Sequence, residues 1–273
     1  MADERISLLG TLDLMSCDTS KHHESKSVLA TRSVSSDLPA PTLRRAFAGR
    51  YGFLLMLLLT LVGISPAMVA NQLNLVSPLD LLVFTIMLAG LRAANPGRRP
   101  FLFGVGLTSA TIVMHCGAYL LSNPTLLVAH HVVTLSALAY AQATILTAII
   151  GDTQVTLETL KAAVCGYLLL GLAFVFVFAI IAFLHPGSFL IPTENGGRTV
   201  AQLSIRQSFP ELMYFSFATL TTLGYAELIP HGAWAKTLCY VEAILGQIYV
   251  TILIARLVGM QASRPIEPRF PTS

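Results

Sequence analysis

Residues 208–230 read SFPELMYFSFATLTTLGYAELIP. The first half is apolar but too short to cross a bilayer, whose hydrocarbon core of about 30 Å takes roughly 20 helical residues. Ser208, followed three residues later by Glu211, forms a capping-box pattern. Pro210 suits the first turn of a helix. A helix of about three turns is therefore expected from Ser208, entering the membrane only part way. The chain then returns through Thr221-Thr222-Leu223-Gly224-Tyr225-Ala226-Glu227. Non-helical backbone at membrane depth has unpaired N–H and C=O groups, and it persists only when buried in protein or lining a watery cavity. The short helix aims the negative end of its dipole at the membrane centre. That field favours a cation, and the carbonyls of the returning segment can replace a cation's water shell.

The rest of the chain explains why membrane depth is the right frame. Of 273 residues, 54% are hydrophobic and 11% charged, whereas globular domains carry roughly a quarter charged residues. Apolar runs cover 51–70, 77–91, 101–121, 125–150, 162–184 and 234–259, giving six candidate spans. The second is the shortest and holds Asp80 near its start. Basic residues gather in alternate loops: Arg44, Arg45 and Arg50 before the first span, Arg92, Arg98 and Arg99 after the second, Lys161 after the fourth, and Arg256, Arg264 and Arg269 at the end of the last. This bias places both termini in the cytoplasm, with 185–208 outside. Arg198 and Arg206 run against the count.

The fourth run has no Arg or Lys. A voltage sensor needs a ladder of basic residues, because each charge crossing the field contributes about 2.3 kcal/mol per 100 mV. No arginine-driven voltage response is expected. His115 in the third run, and His130 and His131 in the fourth, read either as interhelical hydrogen-bonding groups or as a pH-sensitive element. Cys116, Cys165 and Cys239 lie in apolar runs as small packing residues, and Cys17 lies in a polar tail. Residues 16–42 are rich in Ser, Thr, Lys, Asp and His and read as disordered. The spacing of Cys17, His22 and His23 matches no common zinc pattern. No basic start with a compact apolar core opens the chain, so the first hydrophobic run is expected to direct insertion. With a net charge of +3 and no basic run interleaved with aromatics, nucleic acid is not an expected partner.

Span, short helix, Thr221-Thr222-Leu223-Gly224-Tyr225 and span together resemble the pore domain of potassium channels, whose signature is commonly T-V-G-Y-G followed by Asp, or T-L-G-Y-G-D. The resemblance covers residues 160–260, and its most specific stretch is YFSFATLTTLGY at 214–225. The runs EAILGQIY at 242–249 and ARLVG at 255–259 are similar to bacterial channels with one pore domain per chain. The resemblance implies an all-α membrane protein with six transmembrane helices and a re-entrant pore helix and filter between the fifth and sixth. Its parts would be a cytoplasmic tail at 1–47, a four-helix transmembrane region at 48–156, a pore domain at 157–260 and a tail at 261–273. One pore segment per chain implies four chains around one axis, so the implied partners are three further copies and the lipid of a cell membrane. The implied permeant ion is K+, held at Thr222, Leu223, Gly224 and Tyr225, with no other cofactor. Thr222 would offer hydroxyl and carbonyl at the inner end. Leu223, Gly224 and Tyr225 would supply the next carbonyl rings, and Tyr225 would also brace the filter from behind.

Two positions depart from that signature. Ala226 replaces its second glycine, and Glu227 replaces its Asp. If position 226 requires a left-handed conformation, alanine costs about 1–2 kcal/mol in each chain. Glu227 keeps the outer mouth negative on a longer arm. Tyr214 can donate a hydrogen bond to brace it, and Phe215 cannot. In the last span, Glu242 reads either as bonded behind the pore helix or as lining the vestibule, and Gly246 as a bending point or a close helix contact. Arg256 should reach the cytoplasmic interface. Three functions stay open: a potassium-preferring channel, a weakly selective cation channel, and a non-conducting regulatory or assembly subunit. An enzyme is not supported, since no metal-ligand cluster, nucleotide loop or nucleophile–base motif stands in the polar parts. A transporter would show internal repeats or paired broken helices, and only one segment here is broken.

Overall fold

The structure, a computed structural model, describes residues 49–68, 78–94, 97–121, 123–152, 156–193, 196–203, 205–225 and 227–262. The expectations for the N-terminal tail with Cys17, His22 and His23, for the C-terminal tail beyond 262, and for the conformation of Ala226 lie outside these residues. The chain is mostly helical. Five helices come first: α1 (Gly52–Met68), α2 (Pro78–Ala94), α3 (Arg98–Leu121), α4 (Pro124–Gly151) and α5 (Leu157–Leu184). Then follow β1 (Phe189–Thr193), β2 (Gly196–Thr199), a 3-10 turn (Val200–Gln202), α6 (Ile205–Leu220), β3 (Ile229–Pro230) and α7 (Ala233–Ala262).

Among the described residues, four helices are long and apolar enough to cross a membrane, over Arg98–Ala118, Thr125–Gly151, Leu157–Leu184 and Ala233–Arg256. The first two helices are also apolar and are described over 17 residues each, about 25 Å at 1.5 Å per residue.

The helix ends follow from local chemistry. Asn123 caps α4 by accepting from Thr125 N at 2.9 Å, with Pro124 at its first position. Thr156 caps α5 by accepting from Thr159 N at 3.2 Å. Glu158 stands in that first turn, where a negative charge complements the dipole, and it pairs with Lys161 at 2.7 Å. Cations meet two helix C-termini. Arg50 Nη2 donates to Ala93 O at 2.9 Å, and Arg256 Nη2 donates to Ile150 O and Asp152 O, each at 2.9 Å. Tyr51 N donates to Glu158 Oε2 at 3.2 Å. These bonds gather the starts of α1 and α5 and the ends of α2, α4 and α7 at one end of the protein. It is the end that the distribution of basic residues assigns to the cytoplasm. Arg256→Gln is expected to lower unfolding free energy by about 1 kcal/mol, read as a fall in melting temperature of the detergent-solubilised protein.

The helix α5 is the central element, packed against α1, α4, α6 and α7. It buries Leu169, Leu172, Val175 and Phe178 completely or nearly so. A chain of ring contacts crosses the helices from α2 to α6. Phe84 meets His115 at 5.9 Å, His115 meets His130 at 4.9 Å, and His130 meets His131 at 5.4 Å. His131 then meets Phe176 at 5.8 Å, and Phe176 meets Phe209 at 5.7 Å. His130 Nδ1 lies 3.3 Å from Thr111 O on α3, an interhelical bond, whereas His131 Nδ1 bonds Leu127 O within its own helix at 2.6 Å.

One sequence expectation gains detail and one is corrected. Residues 185–208, expected to face outside, contain two strands of a three-stranded antiparallel sheet of order β2-β1-β3 in an otherwise helical chain. In its register Leu190 pairs with both Thr199 and Ile229. Strands of 5, 4 and 2 residues, interrupted by Pro192, Gly196 and Gly197, have too little alternation to announce themselves. The short helix also starts at Ile205 rather than Ser208, which leaves Pro210 inside it. Proline normally breaks a helix because it lacks an N–H and crowds the carbonyl four residues back. Here Pro210 is buried and Phe209 is held against Phe176, so tertiary packing carries the helix through.

Candidate functional site

The helix α6 has 16 residues, about 24 Å, and reverses direction at its C-terminus. Thr222 N donates to Thr219 O at 3.0 Å and Leu223 N to Ala218 O at 2.8 Å. This pair of bonds is a Schellman cap, in which the residue after the cap is left-handed. That residue is Thr222, with φ 57°. Glycine usually fills this position, and a β-branched residue there is a genuine outlier. Such strain costs about 1–3 kcal/mol and persists where surrounding structure or function requires the side chain. Gly224 N also reaches Ala218 O, at 3.2 Å, and Gly224 itself has φ 69°. Leu223, Gly224 and Tyr225 continue without regular structure and are exposed in the protomer, Leu223 at 57% and Tyr225 at 66%. Glu227 is exposed beyond them.

The far end of the segment after α6 is clamped. Ile229 and Pro230 pair with Leu190 and Phe189, and His231 N donates to Ser188 O at 2.8 Å. Below this clamp, Phe215 of α6 forms a triangle with Phe178 at 5.2 Å and Phe189 at 5.5 Å. Phe178 and Phe189 close it at 5.6 Å. Edge-on aromatic pairs of this kind contribute about 0.5–1.5 kcal/mol each beyond burial. Phe215 thus faces α5 and β1, while Tyr214 is half-buried.

From the other side, α7 presents Glu242, Gly246 and Tyr249 along one face, at helical spacings of four and three. Glu242 and Ser216 are both fully buried, and Ser216 Oγ lies 2.5 Å from Glu242 Oε1 and 2.8 Å from Gly171 O. Glu242 therefore sits behind α6 and not on an exposed surface of the protomer. Gly246 lies against the last turn of α6, where a β-carbon would stand 2.7 Å from Leu220 O. That carbonyl is one of the helix-end acceptors without an intrahelical partner, and it accepts the Tyr167 hydroxyl at 3.1 Å. Gly246 makes a close contact, and α7 runs through it as one helix. Tyr249 donates to Ala163 O at 2.9 Å, closing the face onto α5. Arg256, expected at the interface, caps the end of α4.

The structure therefore brings Thr222, Leu223, Gly224 and Tyr225 together as one exposed return, with Glu242 and Gly246 behind the helix that delivers it. The sequence reading missed Ser216, Tyr167, Tyr249 and the Ala218 carbonyl. Two signals pointed that way: Ser216 stands between Phe215 and Phe217 in the apolar half of α6, and Tyr249 shares the helical face of Glu242 and Gly246. Among the described residues, no group of three or more His, Cys, Asp or Glu side chains is placed to hold a metal ion.

Residues 189–261, from β1 to the end of α7, match a family model described as an ion channel. The match leaves out α1 to α5. No curated protein and no solved structure matches the chain. The protein is thus mostly helical and membrane-embedded, and its last quarter is ion-channel-like.

Proposed function

We propose that the chain is a potassium-preferring cation channel in which four copies surround one pore. The carbonyls of Thr222, Leu223, Gly224, Tyr225 and Ala226 form the filter, and Glu227 marks its outer mouth. The observation that carries this reading is the exposed return after α6. The N–H groups of Thr222, Leu223 and Gly224 bond back to α6, so the exposed carbonyls of the return are the groups that cannot face lipid. These carbonyls need either water or other copies of the chain, and an axial pore supplies both. The C-terminus of α6 points its negative dipole end at the start of the return, which suits a cation and repels an anion. One such return per chain calls for three further copies to complete a ring. Exposed Trp234, Tyr240, Ile244, Leu245 and Ile248 on α7 give those copies, or lipid, an apolar surface. The proposed location is a cell membrane, with both termini in the cytoplasm.

The departure at Ala226 supplies the test. In planar bilayers with potassium on one side and sodium on the other, Ala226→Gly is expected to raise the potassium-to-sodium permeability ratio on the order of tenfold, because a filter that requires a left-handed residue at 226 would cost alanine about 1–2 kcal/mol per chain. An unchanged reversal potential would remove Ala226 from the filter. Equal permeation by both ions in the wild-type protein would favour a weakly selective pore. A silent wild type beside an active glycine variant would favour a non-conducting subunit.

A further inference from the structure

The contacts around Glu242 carry more than the reading above requires. Glu242 and Ser216 have no exposed surface. Ser216 has one hydroxyl proton, yet Oγ lies within hydrogen-bond distance of two acceptors, Gly171 O at 2.8 Å and Glu242 Oε1 at 2.5 Å. A serine hydroxyl donates once and accepts with its lone pairs. If it donates to Gly171 O, the proton in the second bond must come from Glu242. If it donates to a carboxylate instead, Gly171 O loses this partner and a buried charge rests on a single neutral hydroxyl. The second carboxyl oxygen, Oε2, has no hydrogen-bond partner. A buried carboxylate needs pairing or several donors. A neutral acid needs only one acceptor for its proton, and Ser216 Oγ provides it.

We infer that Glu242 is a positioning residue held as the neutral acid: it donates its proton to Ser216 Oγ, and Ser216 donates to the Gly171 carbonyl. This relay joins α7, α6 and α5 in one line. It crosses α6 one turn before Leu220, whose carbonyl is held by Tyr167 and faced by Gly246. The two layers set the depth and tilt of α6, and through the Ala218 carbonyl they set the backbone of Leu223 and Gly224. Glu242 then contributes no charge to the ion pathway. The inference rests on the channel reading for its effect on selectivity, but its hydrogen-bond content stands without it.

The test uses the full chain with three substitutions. Glu242→Gln keeps shape and a donor, so its melting temperature, unitary conductance and potassium-to-sodium permeability ratio should match the wild type. Glu242→Leu and Ser216→Ala each break the relay, and each should lower the melting temperature and reduce the permeability ratio by about tenfold, the size expected for a buried polar group left unpaired. Infrared difference spectra of wild type minus Glu242→Gln should show the carbonyl band of a protonated carboxyl. A carboxylate band in its place would overturn the inference. So would a Gln variant that folds as wild type but loses conductance, or a Ser216→Ala variant with wild-type stability and selectivity. If the wild type carries no current, the channel reading fails separately, and the infrared band and the melting temperatures still decide the relay.

Discussion

Replacing Gly246 with valine is expected to abolish cation flux. A β-carbon at this position stands 2.7 Å from Leu220 O and 2.9 Å from Leu220 Cδ1. The side chain could swing away, but the backbone carbonyl cannot move without carrying the last turn of α6. That turn holds Thr222 and Leu223 through the Schellman bonds, and Ala218 O also holds Gly224. Overpacking of this kind costs about 1–3 kcal/mol in each chain, and in the proposed ring of four the displacements would converge on one axis. Gly246→Ala should retain assembly with reduced flux, and Gly246→Val should lose flux even where size-exclusion chromatography still shows the wild-type assembly. Wild-type flux from the valine variant would mean that this contact does not position the returning segment.

Gly224→Ala should have an effect of similar size by a different route. Among the described residues, and apart from its neighbours Leu223 and Tyr225, no atom lies within 4 Å of a β-carbon built at Gly224, so the substitution meets no steric obstacle there. Its cost is conformational, because φ is 69°. A left-handed alanine costs about 1–2 kcal/mol, repeated in every chain of a ring. The expected result is a folded protein with unchanged assembly and no preference for potassium over sodium, read from reversal potentials. The comparison between the two glycines is informative in itself. Gly246 should respond to side-chain size, whereas Gly224 should respond equally to alanine and serine.

The parts of the fold that follow from periodicity and length were legible in the sequence. Apolar runs became helices, and a run too short to cross became α6. The segment after it, with its Thr-Leu-Gly-Tyr, could be read as a return because no helical pattern continued through Gly224. Other features depended on contacts that no local pattern encodes. The cap of α6 uses Thr222 in a place where glycine is the usual cue, so its geometry was invisible. Pro210 suggested a helix start, but packing of Phe209 on Phe176 extended the helix back to Ile205. The sheet joining Leu190 to Thr199 and Ile229 is built from strands of a few residues. The two readings of Glu242 could be separated only when its carboxyl was seen bonded to the buried Ser216 of α6, which also meets the Gly171 carbonyl of α5. Gly246, similarly, became a contact only when Leu220 was found opposite it.

The most direct test of the channel account is potassium flux into liposomes containing the purified wild-type protein, compared with sodium flux and repeated with barium as a pore blocker. The account predicts potassium flux that exceeds sodium flux and is stopped by barium. Absence of flux from both the wild type and Ala226→Gly, in vesicles where the protein is inserted and assembled, would contradict it.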